Sequence, residues 1–231
     1  MLCEVALKIS IGFDGWLLLL ETLWFNNTAA GFICVICAFV HELGHLCSAR
    51  VMKIKIRELK LGFAGAKIYP SDGVISYKKE FFLCVWGPVF NILFSVICLI
   101  ALYFLCKEDP PTLDEAAAGV FSLLDGSGWG IVPALFLAVV VSVLQAAVNL
   151  LPVEGLDGGR MLVCLLSQAG NASLAYRAER IVTFASSLCL WLFSTYMLLV
   201  TGSGLGIFIS AICIFAKLLR PISENSADDC T

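Results

Sequence analysis

Two histidines and a glutamate lie within one apolar stretch, CAFVHELGHLCSAR, at residues 37–50. His41 and His45 are the only histidines of the chain, and their spacing places both imidazoles on one face of a helix, with Glu42 on an adjacent face. Two neutral imidazoles can bind one cation, and a neighbouring glutamate can take a proton from water. This HExxH spacing is the one that zinc hydrolases use. Ionisable groups are costly inside an apolar span, which favours a metal site over a chance pattern.

A catalytic zinc needs a third protein ligand, and no third histidine exists to supply it. Asp157 is a candidate because it follows an apolar segment that ends at a proline, in NLLPVEGLDGGR at residues 149–160. Taken alone, that pattern favours an ordinary loop aspartate, with glycines that reverse the chain. Cys37, one turn before His41, is a second candidate, although cysteine is also a common small residue at helix contacts.

The composition is that of an integral membrane protein. Of the 231 residues, 60% are hydrophobic and 14% are charged, and the mean hydropathy is +0.93, whereas soluble domains are about half apolar and a quarter charged. The net charge of −3 and the lack of a long basic run argue against nucleic acid as a partner. The eleven cysteines are scattered, mostly in apolar segments, and indicate a reducing compartment rather than a disulfide framework.

The apolar segments predict an all-α integral membrane protein with about six transmembrane helices, since each span needs about 20 apolar residues. Short polar connections join them, which predicts a single domain over residues 1–231 without a soluble accessory domain. Charged residues interrupt the first segment, which we expect to lie partly in the membrane interface. The predicted spans are 4–25, 29–51, 81–106, 130–151, 180–201 and 204–219.

The connection between the second and third spans, residues 53–79, has a different pattern. Its sequence KIKIRELKLGF alternates charged and apolar residues, and glycines follow it, which predicts a short membrane-associated β-hairpin or meander. Seven lysines and arginines lie in this connection, whereas the connection after the third span is mainly acidic. The positive-inside rule therefore places the first of these connections, and both termini, in the cytoplasm.

Three motifs together resemble those of a known family. They are HELGH at residues 41–45, GPVFN at 87–91, and the run from Asn149 through Pro152 to Leu156-Asp157-Gly158. The chain resembles the site-2 protease family of intramembrane zinc metalloproteases, and most closely the sporulation protein FB subgroup. The resemblance covers nearly the whole chain.

The resemblance implies a role for each candidate residue. His41, His45 and Asp157 would ligate one Zn²⁺ per chain, and Glu42 would be the general base. Asn149 would hold the substrate or the developing oxyanion. Glu154 departs from the subgroup, which more often has an apolar residue or proline there, and it offers a second carboxylate near the metal.

The resemblance also implies the substrate and the location. The substrates would be membrane-tethered or membrane-associated proteins, such as a sigma-factor precursor, cut near the cytosolic face of a bacterial cytoplasmic membrane. A membrane regulator or inhibitor protein would be a further partner, in regulated intramembrane proteolysis and sporulation. Two alternatives remain open at this point: a membrane metal-ion transporter, which usually has more ionisable groups across its spans, and an inactive protease-like scaffold.

Overall fold

The structure is a computed structural model that describes residues 8–11, 28–62, 65–70, 75–125, 130–153, 156–170 and 172–201. These ranges contain three strands and six helices. The strands are β1 (Lys8–Ile11), β2 (Ile56–Gly62) and β3 (Gly65–Pro70). The helices are α1 (Thr28–Val51), α2 (Tyr77–Leu105), α3 (Leu113–Asp125), α4 (Ile131–Asn149), α5 (Asp157–Gln168) and α6 (Ala172–Thr201).

Three helices in the described ranges are long and apolar enough to cross a membrane. They are α2, α4 and the part of α1 from Ala29 to Val51. These three helices coincide with the second, third and fourth predicted spans. Helix α6 covers the fifth predicted span, 180–201, and the sixth, 204–219, lies outside the described residues. The count of six spans stays a prediction.

The first predicted span, 4–25, is wrong at Lys8–Ile11, where the structure has strand β1 in place of a helix. The sequence of this strand, KISI, alternates polar and apolar residues, which suits a strand better than a helix. It pairs in parallel with β2, from Lys8 opposite Glu58 to Ile11 opposite Leu61. Main-chain hydrogen bonding to β2 therefore determines its conformation, and the apolar content of the segment does not. The rest of that predicted span lies outside the described residues.

Strands β2 and β3 lie in the connection for which the sequence predicts a hairpin or meander. They pair antiparallel, with Glu58 opposite Tyr69 and Gly62 opposite Gly65. The sheet order is β1-β2-β3, so β2 is the central strand and has a partner on each side. The outer edges of the sheet belong to β1 and β3.

Helices α1 and α2 pack antiparallel at close range. Near the end of α1, His45 contacts Leu83 at the start of α2, whereas Cys37 packs in one cluster with Cys98, further along α2. Gly44 lets the two backbones approach, because a Cβ atom there would lie 2.4 Å from the Trp86 carbonyl oxygen. Small residues at helix contacts permit this approach in membrane proteins. The close packing holds the HExxH face of α1 against α2.

Helix α3 lies in a connection that the sequence analysis describes only as short and polar. Its start is a capping box: the Thr112 N–H donates to Glu115 Oε2 at 2.8 Å, and the Glu115 N–H donates to Thr112 Oγ1 at 3.3 Å. The Thr112 N–H and, secondarily, the Thr112 hydroxyl donate to the Glu115 carboxylate, and these two bonds hold the pKa of Glu115 below its usual value. The Thr-x-x-Glu pattern is readable in the sequence, so this helix was predictable.

Candidate metal centre

His41 and His45 lie on the face of α1 that packs against α2. Their side chains are buried, and their Nε2 atoms are 3.2 Å apart. One helical turn separates the two residues, so the apolar helix itself brings the imidazoles together, as the HExxH spacing predicts. Burial of two imidazoles whose nitrogens face each other indicates a site for a third group between them.

Asp157 reaches the same place from a different part of the chain. Its Oδ2 atom lies 3.0 Å from His41 Nε2 and 3.3 Å from His45 Nε2. The ligand atoms of the three residues all lie within 4.8 Å of one another. Of the candidates from the sequence, His41, His45 and Asp157 are therefore brought together. Asp157 is the first residue of α5, so its position depends on how that helix begins.

Two glycines fix the start of α5 against the chain that precedes it. A Cβ atom on Gly158 would lie 2.2 Å from the Leu150 carbonyl oxygen, and one on Gly159 would lie 2.2 Å from the Val153 carbonyl oxygen. Side chains at these positions would push the first turn of α5 off that backbone. The glycines that the sequence analysis attributes to chain reversal instead allow close packing, and this packing places Asp157 beside the histidines.

Replacing Gly158 with alanine is expected to weaken zinc binding by about 10–100-fold, the usual cost of disturbing the support of a metal ligand. The methyl group would displace the first turn of α5 and move Asp157 away from His41. Zinc affinity measured by competition with a chromophoric chelator checks this result. Leu165→Ala, an exposed position on the same helix, is the matched control. An unchanged affinity in Gly158→Ala would show that the glycine does not position Asp157.

Gly87 of α2 lies directly beside the imidazoles of His41 and His45. A Cβ atom on Gly87 would lie 2.5 Å from His45 Nε2 and 2.7 Å from His41 Nε2. The missing side chain therefore leaves a space of atomic size beside both nitrogens. No role toward the metal is predicted for Gly87 from the sequence.

The dimensions of the group fit zinc. A tetrahedral zinc with bonds of about 2.0–2.1 Å separates its ligand atoms by about 3.3–3.4 Å. The three separations in the structure are 3.0, 3.2 and 3.3 Å. Two imidazoles and a carboxylate are also donors that zinc accepts in hydrolases, with a further position left open. The residues present therefore suit a catalytic zinc.

Each histidine has a second contact through its other ring nitrogen. His45 Nδ1 donates to the Leu83 carbonyl oxygen at 2.8 Å, and His41 Nδ1 lies 3.2 Å from the side-chain Nδ2 of Asn91. Asn91 is completely buried in α2. No separate role is predicted for Asn91 from the sequence, although a polar side chain inside an apolar span is itself a signal of function.

A known protein family and a solved structure match this chain. A sequence model of peptidase family M50 matches residues 29–193. The chain belongs to peptidase family M50. A solved structure, the site-2 protease from Methanocaldococcus jannaschii, has the same fold, with a TM-score of 0.65 and 16% sequence identity. The match covers 96% of this chain and 95% of that one. No curated protein matches the chain.

Members of the M50 family are zinc-dependent intramembrane metalloproteases. The family and the three apolar helices together identify this chain as a membrane protein. The sporulation protein FB subgroup, which the sequence resembles, stays a prediction.

Glu42 and Asn149, the two catalytic candidates, lie outside the group of three ligands. Glu42 follows His41 on α1 and is partly buried. Asn149 is the last residue of α4, and its Nδ2 donates to the Gln145 carbonyl oxygen at 3.1 Å. Its amide is therefore bonded to its own helix in this M50 peptidase.

Cys37 and Glu154 are the two remaining candidate metal ligands. Cys37 is buried towards α4, where Ser142 Oγ donates to its sulfur at 3.3 Å, and it packs with Cys98 and Ala138. The three-ligand group does not include it. Glu154 lies outside the described residues.

The GPVFN motif lies inside a helix. Helix α2 begins at Tyr77, so Gly87 and Pro88 are about three turns along it. Pro88 has no N–H for the Cys84 carbonyl oxygen, and a proline interior to a helix weakens it locally. The motif places Gly87 and Asn91 one turn apart, both facing the histidines of the M50 site.

Proposed function

We propose that this chain is an intramembrane zinc metalloprotease that hydrolyses peptide bonds of membrane-tethered or membrane-associated proteins near the cytosolic face. The observation that carries the proposal is the group of His41, His45 and Asp157, two buried histidines and a partly buried aspartate, with donor separations that suit zinc. Membership of the M50 family supports it. We further propose six spans with both termini in the cytoplasm, as the charge distribution favours, and a bacterial cell, as the subgroup resemblance favours.

Each residue of the site would have a separate role in hydrolysis. His41, His45 and Asp157 would hold the metal, which supplies Lewis acidity that polarises the scissile carbonyl and acidifies a water molecule. Glu42 would take the proton from the attacking water and pass it to the leaving amine. Asn149, once released from the Gln145 carbonyl oxygen, would donate to the substrate or to the developing oxyanion.

The substrate must be locally extended, because a peptide bond within a helix is shielded by helical hydrogen bonds. An extended segment can add to the edge of a sheet through main-chain hydrogen bonds, without demanding one sequence. Since β2 has a partner on each side, we propose that the substrate pairs along the outer edge of β3. A membrane-associated sigma-factor precursor is the substrate that the subgroup resemblance favours.

Photo-crosslinking tests the β3 edge. A photoreactive amino acid placed at each position of β3 in turn, Gly65–Pro70, is expected to label a co-expressed substrate at alternate positions, since side chains alternate along a strand. The exposed Leu113 of α3 is the control position. Absence of labelling along the whole of β3 would contradict substrate pairing at this edge.

Removal of the metal tests the proposed function as a whole. Treating the purified, detergent-solubilised protein with a zinc chelator is expected to stop cleavage of a tagged precursor. Added Zn²⁺ should restore it, whereas Mg²⁺ should not, because Mg²⁺ prefers an all-oxygen octahedral site.

The alternatives predict different results for the same preparation. A metal-ion transporter would move Zn²⁺ into proteoliposomes and would leave the precursor intact. Cleavage that continues in the chelated protein would contradict the metalloprotease proposal, as would zinc flux without cleavage.

A further inference from the structure

The side chain of Asn91 contacts the metal centre from inside the protein. It is completely buried, and its Nδ2 lies 3.2 Å from His41 Nδ1. Its Oδ1 is also buried and has no hydrogen-bond partner in the described part of the chain. A buried amide oxygen without a donor is costly, so this arrangement requires an explanation.

The contact with Asn91 determines which nitrogen of His41 carries hydrogen. A neutral imidazole has one N–H and one acceptor nitrogen. If Asn91 Nδ2 donates to Nδ1, the hydrogen is on Nε2, where it can donate to Asp157 Oδ2 at 3.0 Å. That arrangement suits the protein without metal, but Nε2 then has no lone pair for zinc.

A half-turn of the Asn91 amide exchanges its oxygen and nitrogen and reverses this choice. Oδ1 then accepts a hydrogen bond from His41 Nδ1–H, and Nε2 is free to bind the metal. The imidazole stays neutral, because one proton leaves Nε2 and one is held on Nδ1. His45 already has this arrangement, since its Nδ1 donates to the Leu83 carbonyl oxygen at 2.8 Å.

We propose that Asn91 is a positioning residue for His41, whose side-chain oxygen accepts Nδ1–H and so presents Nε2 to the metal. Metal-binding histidines usually donate their second N–H to a carbonyl or carboxylate oxygen. For His45 that oxygen belongs to the backbone, whereas for His41 it belongs to a side chain and can be changed by mutation. The inference rests on the proposed function, because it assigns a role toward the zinc.

Two substitutions test whether residue 91 acts on His41 as a hydrogen-bond acceptor or as a donor. Asn91→Asp keeps an oxygen for Nδ1–H and removes the amide donor, whereas Asn91→Leu has a similar size and removes both. We expect Asn91→Leu to weaken zinc binding by about 10–100-fold, and Asn91→Asp to bind within a few-fold of the wild type. Zinc affinity of the purified protein is measured by competition with a chromophoric chelator, independently of proteolysis. Asn91→Ala replaces the leucine variant if that variant does not fold.

The control is Ser95→Ala, a buried position one turn further along α2, which should leave zinc affinity unchanged. Equal weakening in Asn91→Asp and Asn91→Leu would overturn the acceptor role. Wild-type affinity in Asn91→Leu would overturn any role of Asn91 toward the metal, while the proposed function would stand. A wild-type protein that binds no zinc would overturn the proposed function and this inference with it.

Discussion

Replacing Gly87 with alanine is expected to leave the protein folded but without zinc. The new methyl group would lie 2.5 Å from His45 Nε2 and 2.7 Å from His41 Nε2, in the space beside both ligand atoms. The nearest atoms belong to side chains, so the imidazoles can turn aside while the helices stay packed. Zinc content, measured by atomic emission on the purified protein, should fall from about one ion per chain to near zero.

The control for Gly87→Ala is the same chemical change far from the site. Gly119→Ala in α3 would contact only the side chain of Pro133, at 3.1 Å, and should retain zinc and cleavage. Gly44→Ala is a useful contrast, because its methyl group would meet the Trp86 backbone and force α1 from α2. Compared with the metal-free wild type, Gly44→Ala should have a lower thermal unfolding temperature, whereas Gly87→Ala should not. A Gly87→Ala protein with full zinc content would contradict a metal position in the space between Gly87 and the two histidines.

Glu42→Gln is expected to show the complementary result, with zinc retained and turnover lost. Glutamine keeps the shape of the side chain but cannot accept a proton from water, and general acid–base catalysis contributes about 10²–10⁴-fold to a rate. Cleavage of the tagged precursor, followed by gel electrophoresis over time, should therefore slow by at least ~10²-fold. Zinc content is measured on the same sample, so that loss of metal and loss of catalysis are separated.

The matched control for this change is Glu108→Gln, an exposed glutamate after α2, which should cleave at the wild-type rate. If Glu42→Gln also cleaves at that rate, another group must act as the base.

The helix that carries the histidines was predictable, because its apolar run and the HExxH spacing are both local. Asp157 was a weaker prediction, since aspartate in a glycine-rich segment is common in loops. Its place in the site depends on the packing of Gly158 against Leu150, which joins parts of the chain whose contact only the fold determines.

Other features depended on partners that are distant in the sequence. Strand β1 was predicted as part of a span, because its pairing with β2, some fifty residues away, has no local signal. Gly87 and Asn91 face the histidines because α2 packs antiparallel to α1 in one particular register. Residue types indicate the chemistry of a site, whereas the contacts that support it come from tertiary packing.

The most direct test of the account is zinc K-edge X-ray absorption on the purified wild-type protein, compared with Asp157→Ala. We predict a first shell of nitrogen and oxygen at about 2.0–2.2 Å, with the outer-shell pattern of two imidazoles and no sulfur. Asp157→Ala should lose an oxygen from that shell or bind no zinc. A sulfur shell at about 2.3 Å would contradict the ligand set and point instead to a cysteine such as Cys37.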